Sequence, residues 1–127
     1  MEQMNFSEEL KNRVSQAEGI LKEFLPEEKG CQKTIFEAMN YSLLAGGKRL
    51  RPVIMREVYT MFGGMGSEVN YLMAAMEMIH TSSLVHDDLP CMDNDLYRRG
   101  KPTTWSKFGE DMGTLAGGAL LVSAFET

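Results

Sequence analysis

The chain has 127 residues, enough for one domain with its own core, and 43% of them are hydrophobic, which excludes intrinsic disorder. A net charge of −5 excludes nonspecific binding to nucleic acid, and no stretch is apolar for long enough to predict a membrane span. Cys31 and Cys91 make neither a metal spacing nor a disulfide framework, and the acidic N-terminus is unlike a signal peptide, so a reducing, cytoplasmic setting is expected.

Leu10, Val14, Ala17, Leu21 and Phe24 recur at helical spacing and predict a first helix. It opens near Asn5 or Ser7, where Asn5 and Glu8 are spaced as a capping box, and Pro26 ends it. A second helix is predicted from about Thr34 to Ala45, with Ile35, Met39 and Leu43 on one face and Gly46-Gly47 as its stop. Pro52 is placed to open a third, with Ile54, Val58, Met61 and Phe62 as its apolar side and Gly63-Gly64 closing it. The fourth runs from about Glu68 to Asp88, with Leu72, Ala75, Met76, Ile79 and Ser83 as its buried stripe.

Pro90, Gly100 and Pro102 make the following stretch a loop. The last helix starts near Asp111 and continues through Leu115, Ala119, Leu120 and Val122, weakened by Gly117-Gly118. The eleven methionines fit core filling better than a ligand set. Strand alternation persists nowhere, so the fold class is all-α: an antiparallel helical bundle in a single domain over 1–127. No stop signal precedes Thr127, so this bundle is expected to be an incomplete half, with apolar surface that awaits a partner.

The chemistry is concentrated between His80 and Thr104. That stretch holds both histidines and Asp87, Asp88, Asp93 and Asp95, followed at once by Arg98, Arg99 and Lys101. Clustered carboxylates suit a hard cation such as Mg²⁺, which takes oxygen ligands and often bridges carboxylates to substrate phosphates. Arginine and lysine suit the phosphates themselves. His80, Ser83 and Asp87 share one helix face, with Asp87 at its mouth, and the loop through Pro90 can bring Asp93 back beside Asp87. Upstream, Gly46-Gly47-Lys48-Arg49-Leu50-Arg51 offers an anion site near a helix start. The plainer alternatives are a solvated acidic loop, a polar helix connection, and structural roles for His80 and His86.

Several ordered motifs resemble those of the trans-polyprenyl diphosphate synthases of the farnesyl/geranylgeranyl group. They are Leu44-Ala45-Gly46-Gly47-Lys48-Arg49-Leu50-Arg51-Pro52, Glu77-Met78-Ile79-His80, and the run from His86 to Asp95. Arg98-Arg99-Gly100-Lys101-Pro102-Thr103 and Phe108-Gly109-Glu110-Asp111-Met112 follow in register. The resemblance implies head-to-tail condensation of isopentenyl diphosphate with an allylic diphosphate in a helical bundle, and a homodimer. It gives Asp87, Asp88, Asp93 and Arg98 to catalysis, with Asp87 and Asp93 holding Mg²⁺ and Arg98 on the allylic diphosphate. Lys48, Arg51, His80 and Arg99 would hold isopentenyl diphosphate. Ser82 and Ser83 lie five and four residues before Asp87, roughly 6–8 Å down the helix at 1.5 Å per residue, where a growing tail would pass. Ser82 is small, so a product longer than farnesyl, such as geranylgeranyl, is expected.

This sequence departs from the family pattern at Leu96, where an acid is frequent, at Trp105, where His is frequent, and at Gly118, where Asp is usual. The second aspartate-rich motif of the family is missing, since the only aspartate after Asp95 is Asp111. The chain alone is therefore expected to turn over little or no substrate. The alternative is a noncatalytic, synthase-like interaction subunit. A hydrolase using His86 and Asp87 ranks third, because no further metal-binding histidine pair accompanies them.

Overall fold

The computed structural model describes residue 3 and residues 5–127, and is built of six helices and one small hairpin, as the all-α expectation requires. Helix α1 (Phe6–Glu23) is capped by the Asn5 side chain, which accepts from the Ser7 N–H at 3.1 Å. The cap is real, but it forms through Ser7 and not through a reciprocal bond with Glu8. Helix α2 (Lys33–Leu44) stops at the expected glycines, and Gly46 sits at φ +96, a conformation glycine adopts freely. Helix α3 (Leu50–Met61) opens two residues before Pro52, which stays in the first turn where its missing N–H costs nothing.

Helix α4 (Glu68–Asp87) is the spine. Its Met78 and Val85 join Met39 and Leu43 of α2 and Ala116, Leu120 and Ala124 of α6 (Glu110–Glu126) in the main core. Its Val69 and Met73 join Ala17 of α1 and Val53 of α3 in a second core. Two polar ties fasten α4 to α6: Ser82 Oγ donates to Gly117 O at 2.7 Å, and His86 Nε2 lies 3.0 Å from Thr114 O. Gly117 makes that approach possible, because a Cβ there would come within 2.3 Å of the His86 ring.

The predicted helices are present, but two predicted faces, those of α3 and α4, are reversed. On α3 the buried residues are Pro52 and Val53, while Ile54, Val58, Met61 and Phe62 are exposed, Phe62 to 86%. On α4, Leu72, Met76, Ile79 and Ser83 are exposed and Ala75 is half-buried; Val69, Met73, Ala74, Glu77, Met78, Thr81, Ser82 and Val85 are inside. On α6, Leu120 is buried, but Leu115 and Val122 are exposed. These helices are apolar on more than one side, and a period of 3.6 cannot choose between two apolar stripes.

The expected loop also contains structure. Strand β1 (Tyr97–Arg98) pairs antiparallel with β2 (Lys101–Pro102), Arg98 facing Lys101, across a turn at Arg99 and Gly100. Helix α5 (Thr104–Phe108) follows. Both are too short to carry a readable periodicity.

Candidate functional site

The end of α4 turns back on itself. Leu89 N–H donates to His86 O at 3.2 Å, and Asn94 N–H to Leu89 O at 3.0 Å. Two longer ties follow, Asp93 N–H to Asp87 O at 2.8 Å and Asp95 N–H to Asp88 O at 3.1 Å. The loop therefore folds Asp93 beside Asp87, as the spacing predicts. Its far end is pinned at Asp95 O, which accepts from Thr103 Oγ1 at 2.7 Å and from Trp105 Nε1 at 2.9 Å. Trp105, a departure from the family pattern, is thus a strut of the aspartate loop.

The aspartates take different roles. Asp88 is buried and receives Arg98 in a fork, Nη2 to Oδ1 at 2.7 Å and Nε to Oδ2 at 2.9 Å. That hydrogen bonding, more than the charge, pushes the Arg98 pKa above its ordinary value. Two of the three guanidinium nitrogens are engaged, and Nη1 has no partner among the described residues. Asp88 is thus an anchor for Arg98. Asp87 is half-buried and Asp93 exposed, and neither carboxylate has a partner among the described residues.

Two unpartnered carboxylates are a hard-oxygen donor set that fits Mg²⁺. Among the described residues no group of three or more His, Cys, Asp or Glu side chains is placed to hold a metal ion. Remaining ligands would come from water and substrate oxygens, which is how Mg²⁺ is usually bound.

The cationic residues converge. Lys48, Arg51, His80 and Arg99 line one cavity of about 160 Å³, between the start of α3 and the middle of α4. Arg49 and Glu77 also line it, and with His80 and Arg99 they continue into a narrower cleft that reaches Asp88, Arg98 and Thr103. Arg51 Nη1 lies 3.3 Å from His80 Nε2. Burial, and then the Arg51 charge, hold the His80 pKa below its ordinary value, so a neutral imidazole accepts from Arg51. Arg99 Nη1 donates to Gly46 O at 2.6 Å, and a Cβ on Gly47 would stand 2.9 Å from that nitrogen. The glycine pair lets the guanidinium approach the backbone.

Two features carry weight that the sequence motifs did not reveal. Arg49 adopts a left-handed backbone, φ 52, and turns inward between outward-facing Lys48 and Arg51. It donates to Glu77 Oε1 at 2.7 Å and to Leu43 O at 2.6 Å, and the pair's side chains are only 2% and 5% exposed. The available signal was an acid in the otherwise apolar stretch Met76-Glu77-Met78-Ile79, facing a basic run. The two serines also separate. Ser82 is buried against α6, and Ser83 is exposed on the side that carries Ile79 and Met76, with its hydroxyl donating to His80 O at 2.6 Å. A large residue at 82 would wedge α4 from α6, so Ser83 is the position that faces open space.

The polyprenyl synthetase profile matches residues 32–127. Over 92 residues the chain is 60% identical to geranylgeranyl pyrophosphate synthase, chloroplastic, of Catharanthus roseus, covering 72% of this chain and 26% of that protein. It is 61% identical over 92 residues to heterodimeric geranylgeranyl pyrophosphate synthase large subunit 1, chloroplastic, of Arabidopsis thaliana, covering 72% and 25%. Among solved structures, an FPP/GFPP synthase from Zymomonas mobilis superposes with a TM-score of 0.86 at 37% identity, covering 94% of this chain and 43% of that one. A geranyltransferase from Legionella pneumophila gives 0.86 at 33%, covering 94% and 42%. The chain thus spans about a quarter of the length of the curated relatives it matches and under half of these structures. No helix among the described residues is long and apolar enough to cross a membrane. The aligned motifs, the shared helical architecture and the family profile make this chain a member of the polyprenyl synthetase family.

Proposed function

We propose that the chain carries the diphosphate-binding half of a Mg²⁺-dependent prenyltransferase that condenses isopentenyl diphosphate with an allylic diphosphate to a geranylgeranyl or farnesyl product. The observation that carries the proposal is the convergence of Lys48, Arg51, His80 and Arg99 on one cavity that opens toward Arg98. Four nitrogen-bearing side chains in one recess have little use except an anion with several charged oxygens. In this reading they seat isopentenyl diphosphate. The allylic diphosphate lies across the mouth of α4, where the unpartnered Nη1 of Arg98 meets the charge that grows on the leaving group. Asp87 and Asp93 would hold Mg²⁺, which when bound supplies further positive charge to that leaving group.

The chemistry then asks little of the protein beyond placement. The bond from allylic carbon to diphosphate oxygen breaks, the neighbouring alkene attacks the allylic cation, and a proton leaves. Water must be kept from that cation. Ile79 and Met76, one and two turns below Ser83 on the exposed side of α4, supply an apolar wall for the tail. Ser83 leaves room beside them, which supports a product longer than farnesyl.

The chain offers one aspartate-rich loop, so turnover by the chain alone is expected to be slight. A second reading, a noncatalytic partner subunit, is favoured by the exposed stripe of Ile54, Val58 and Met61 on α3 and Phe62 at its C-cap. The same stripe supports a homodimer. Cys31 and Cys91 are both exposed free thiols, which supports a reducing compartment, as the cytoplasm or a chloroplast provides.

Calorimetry with isopentenyl diphosphate, followed by turnover with an allylic diphosphate and Mg²⁺, tests this. Lys48→Ala and Arg51→Ala should each weaken binding by about tenfold, the value of one charge-assisted contact. Equal affinity in the parent and in a Lys48→Glu/Arg51→Glu chain would end the proposal. Binding without turnover, even after a complementary synthase half is added, would favour the subunit.

A further inference from the structure

One feature of the basic cavity is out of place. An anion pocket should contain no acid, yet Glu77 lines it beside Lys48, Arg51, His80 and Arg99. Glu77 is 4% exposed, so water screens its charge poorly. The residue that answers it is Arg49, on the same wall, with Nη1 2.7 Å from Glu77 Oε1. Arg49 also ties down the surrounding elements. Its Nη2 holds Leu43 O in the last turn of α2, and its Nε lies 3.4 Å from Glu18 Oε1 of α1. The left-handed backbone at Arg49 aims this side chain inward while Lys48 and Arg51 stay exposed on either side.

We infer that Arg49 and Glu77 form a positioning and charge-cancelling pair for the diphosphate pocket: Arg49 masks the Glu77 carboxylate, and Glu77 fixes the inward turn of Arg49 that leaves Lys48 and Arg51 facing the anion. Neither residue touches the ligand. The inference rests on the diphosphate reading of this cavity. It goes further by giving the two partners opposite effects on anion affinity while their effects on stability share a sign.

The opposition follows from charge. Removing Arg49 leaves a bare carboxylate in the pocket wall, which repels the ligand. Removing the Glu77 charge leaves Arg49 cationic, which attracts it. Both changes orphan a buried ionic group, so both lower the melting temperature.

The test is calorimetric titration of the full chain with inorganic diphosphate, with thermal melting of each variant alongside. Arg49→Met should weaken diphosphate binding by about tenfold or more. Glu77→Gln should leave affinity unchanged or raise it, although it melts lower than the parent. Arg49→Met/Glu77→Gln should recover most of the affinity that Arg49→Met loses. Arg49→Lys, which keeps the charge but not the fork, should fall between parent and Arg49→Met, and serves if the methionine variant does not fold. Parallel losses of affinity in Arg49→Lys and Glu77→Gln, tracking melting temperature, would reduce the pair to a structural role and overturn the inference. A parent chain that binds no diphosphate would overturn the diphosphate reading itself, and this inference with it.

Discussion

Arg98→Ala isolates the anchor of the aspartate loop. It leaves the Asp88 carboxylate, 5% exposed, without the three contacts of 2.7, 2.9 and 3.3 Å that now satisfy it. Breaking a fully buried pair costs about 3–5 kcal/mol, but Arg98 is 34% exposed and water can reach the gap, so about 2 kcal/mol is the better figure. With 127 residues and about 2.1 cal/mol/K of unfolding entropy each, the melting temperature should fall by roughly 7 °C. Asp88→Asn is milder, about 1 kcal/mol, because the partner left behind is the one that solvent can reach. The double variant should be less destabilised than the sum of the two, since no orphan carboxylate remains. Thermal and urea unfolding followed by circular dichroism measure all three. An Arg98→Ala chain that melts with the parent, or an Asp88→Asn chain that melts below Arg98→Ala, would refute the reasoning.

Further outcomes follow from the helix contacts and the titrating groups. Gly117→Ala should destabilise the chain by about 1–3 kcal/mol, because the added methyl meets the His86 ring at 2.3 Å, whereas Gly118→Ala, with open space around its Cβ, should stabilise α6 by about 0.5–1 kcal/mol. Opposite shifts in urea midpoint check the contrast. The folded pKa of His80 lies below its ordinary 6.5, so its contribution to stability is present above 6.5 and is lost as pH falls through the folded value. A bound diphosphate reverses that shift, so binding should take up protons near pH 6.5, and His80→Gln should remove this uptake. The enthalpy of diphosphate binding in buffers of different ionisation heat reads it, after subtraction of the ligand's own protonation. Trp105→Phe keeps an aromatic side chain but deletes the N–H that holds Asp95 O at 2.9 Å; it should cost about 1 kcal/mol and speed hydrogen exchange in the aspartate loop.

Punctuation carried most of the legible fold. Pro26, Gly46-Gly47, Gly63-Gly64 and Pro90 all fall at or just beyond helix ends. The faces were not legible where a helix has two apolar sides. Leu72, Met76 and Ile79 repeat at helical spacing, and only the packing of α1, α2, α3 and α6 puts Val69, Met73 and Met78 inside instead. In the site, the return of Asp93 to Asp87 could be read from the short loop. The fork from Arg98 to Asp88 could not, because it depends on the hairpin at Tyr97–Pro102. The inward turn of Arg49 was equally hidden. Alternation of exposed and buried cations across Lys48-Arg49-Leu50-Arg51 reflects a left-handed backbone angle that no residue type in the run announces.

The central claim is that Asp87 and Asp93 at the mouth of α4 recruit Mg²⁺ to a diphosphate held by neighbouring cations. Its most direct measurement is calorimetric titration of inorganic diphosphate into the chain with and without Mg²⁺, repeated for Asp87→Ala and Asp93→Ala. Mg²⁺ should tighten binding to the parent by about tenfold or more, and either substitution should remove this gain while leaving the metal-free affinity in place. The same Mg²⁺ dependence in the parent and in Asp87→Ala/Asp93→Ala would contradict the claim.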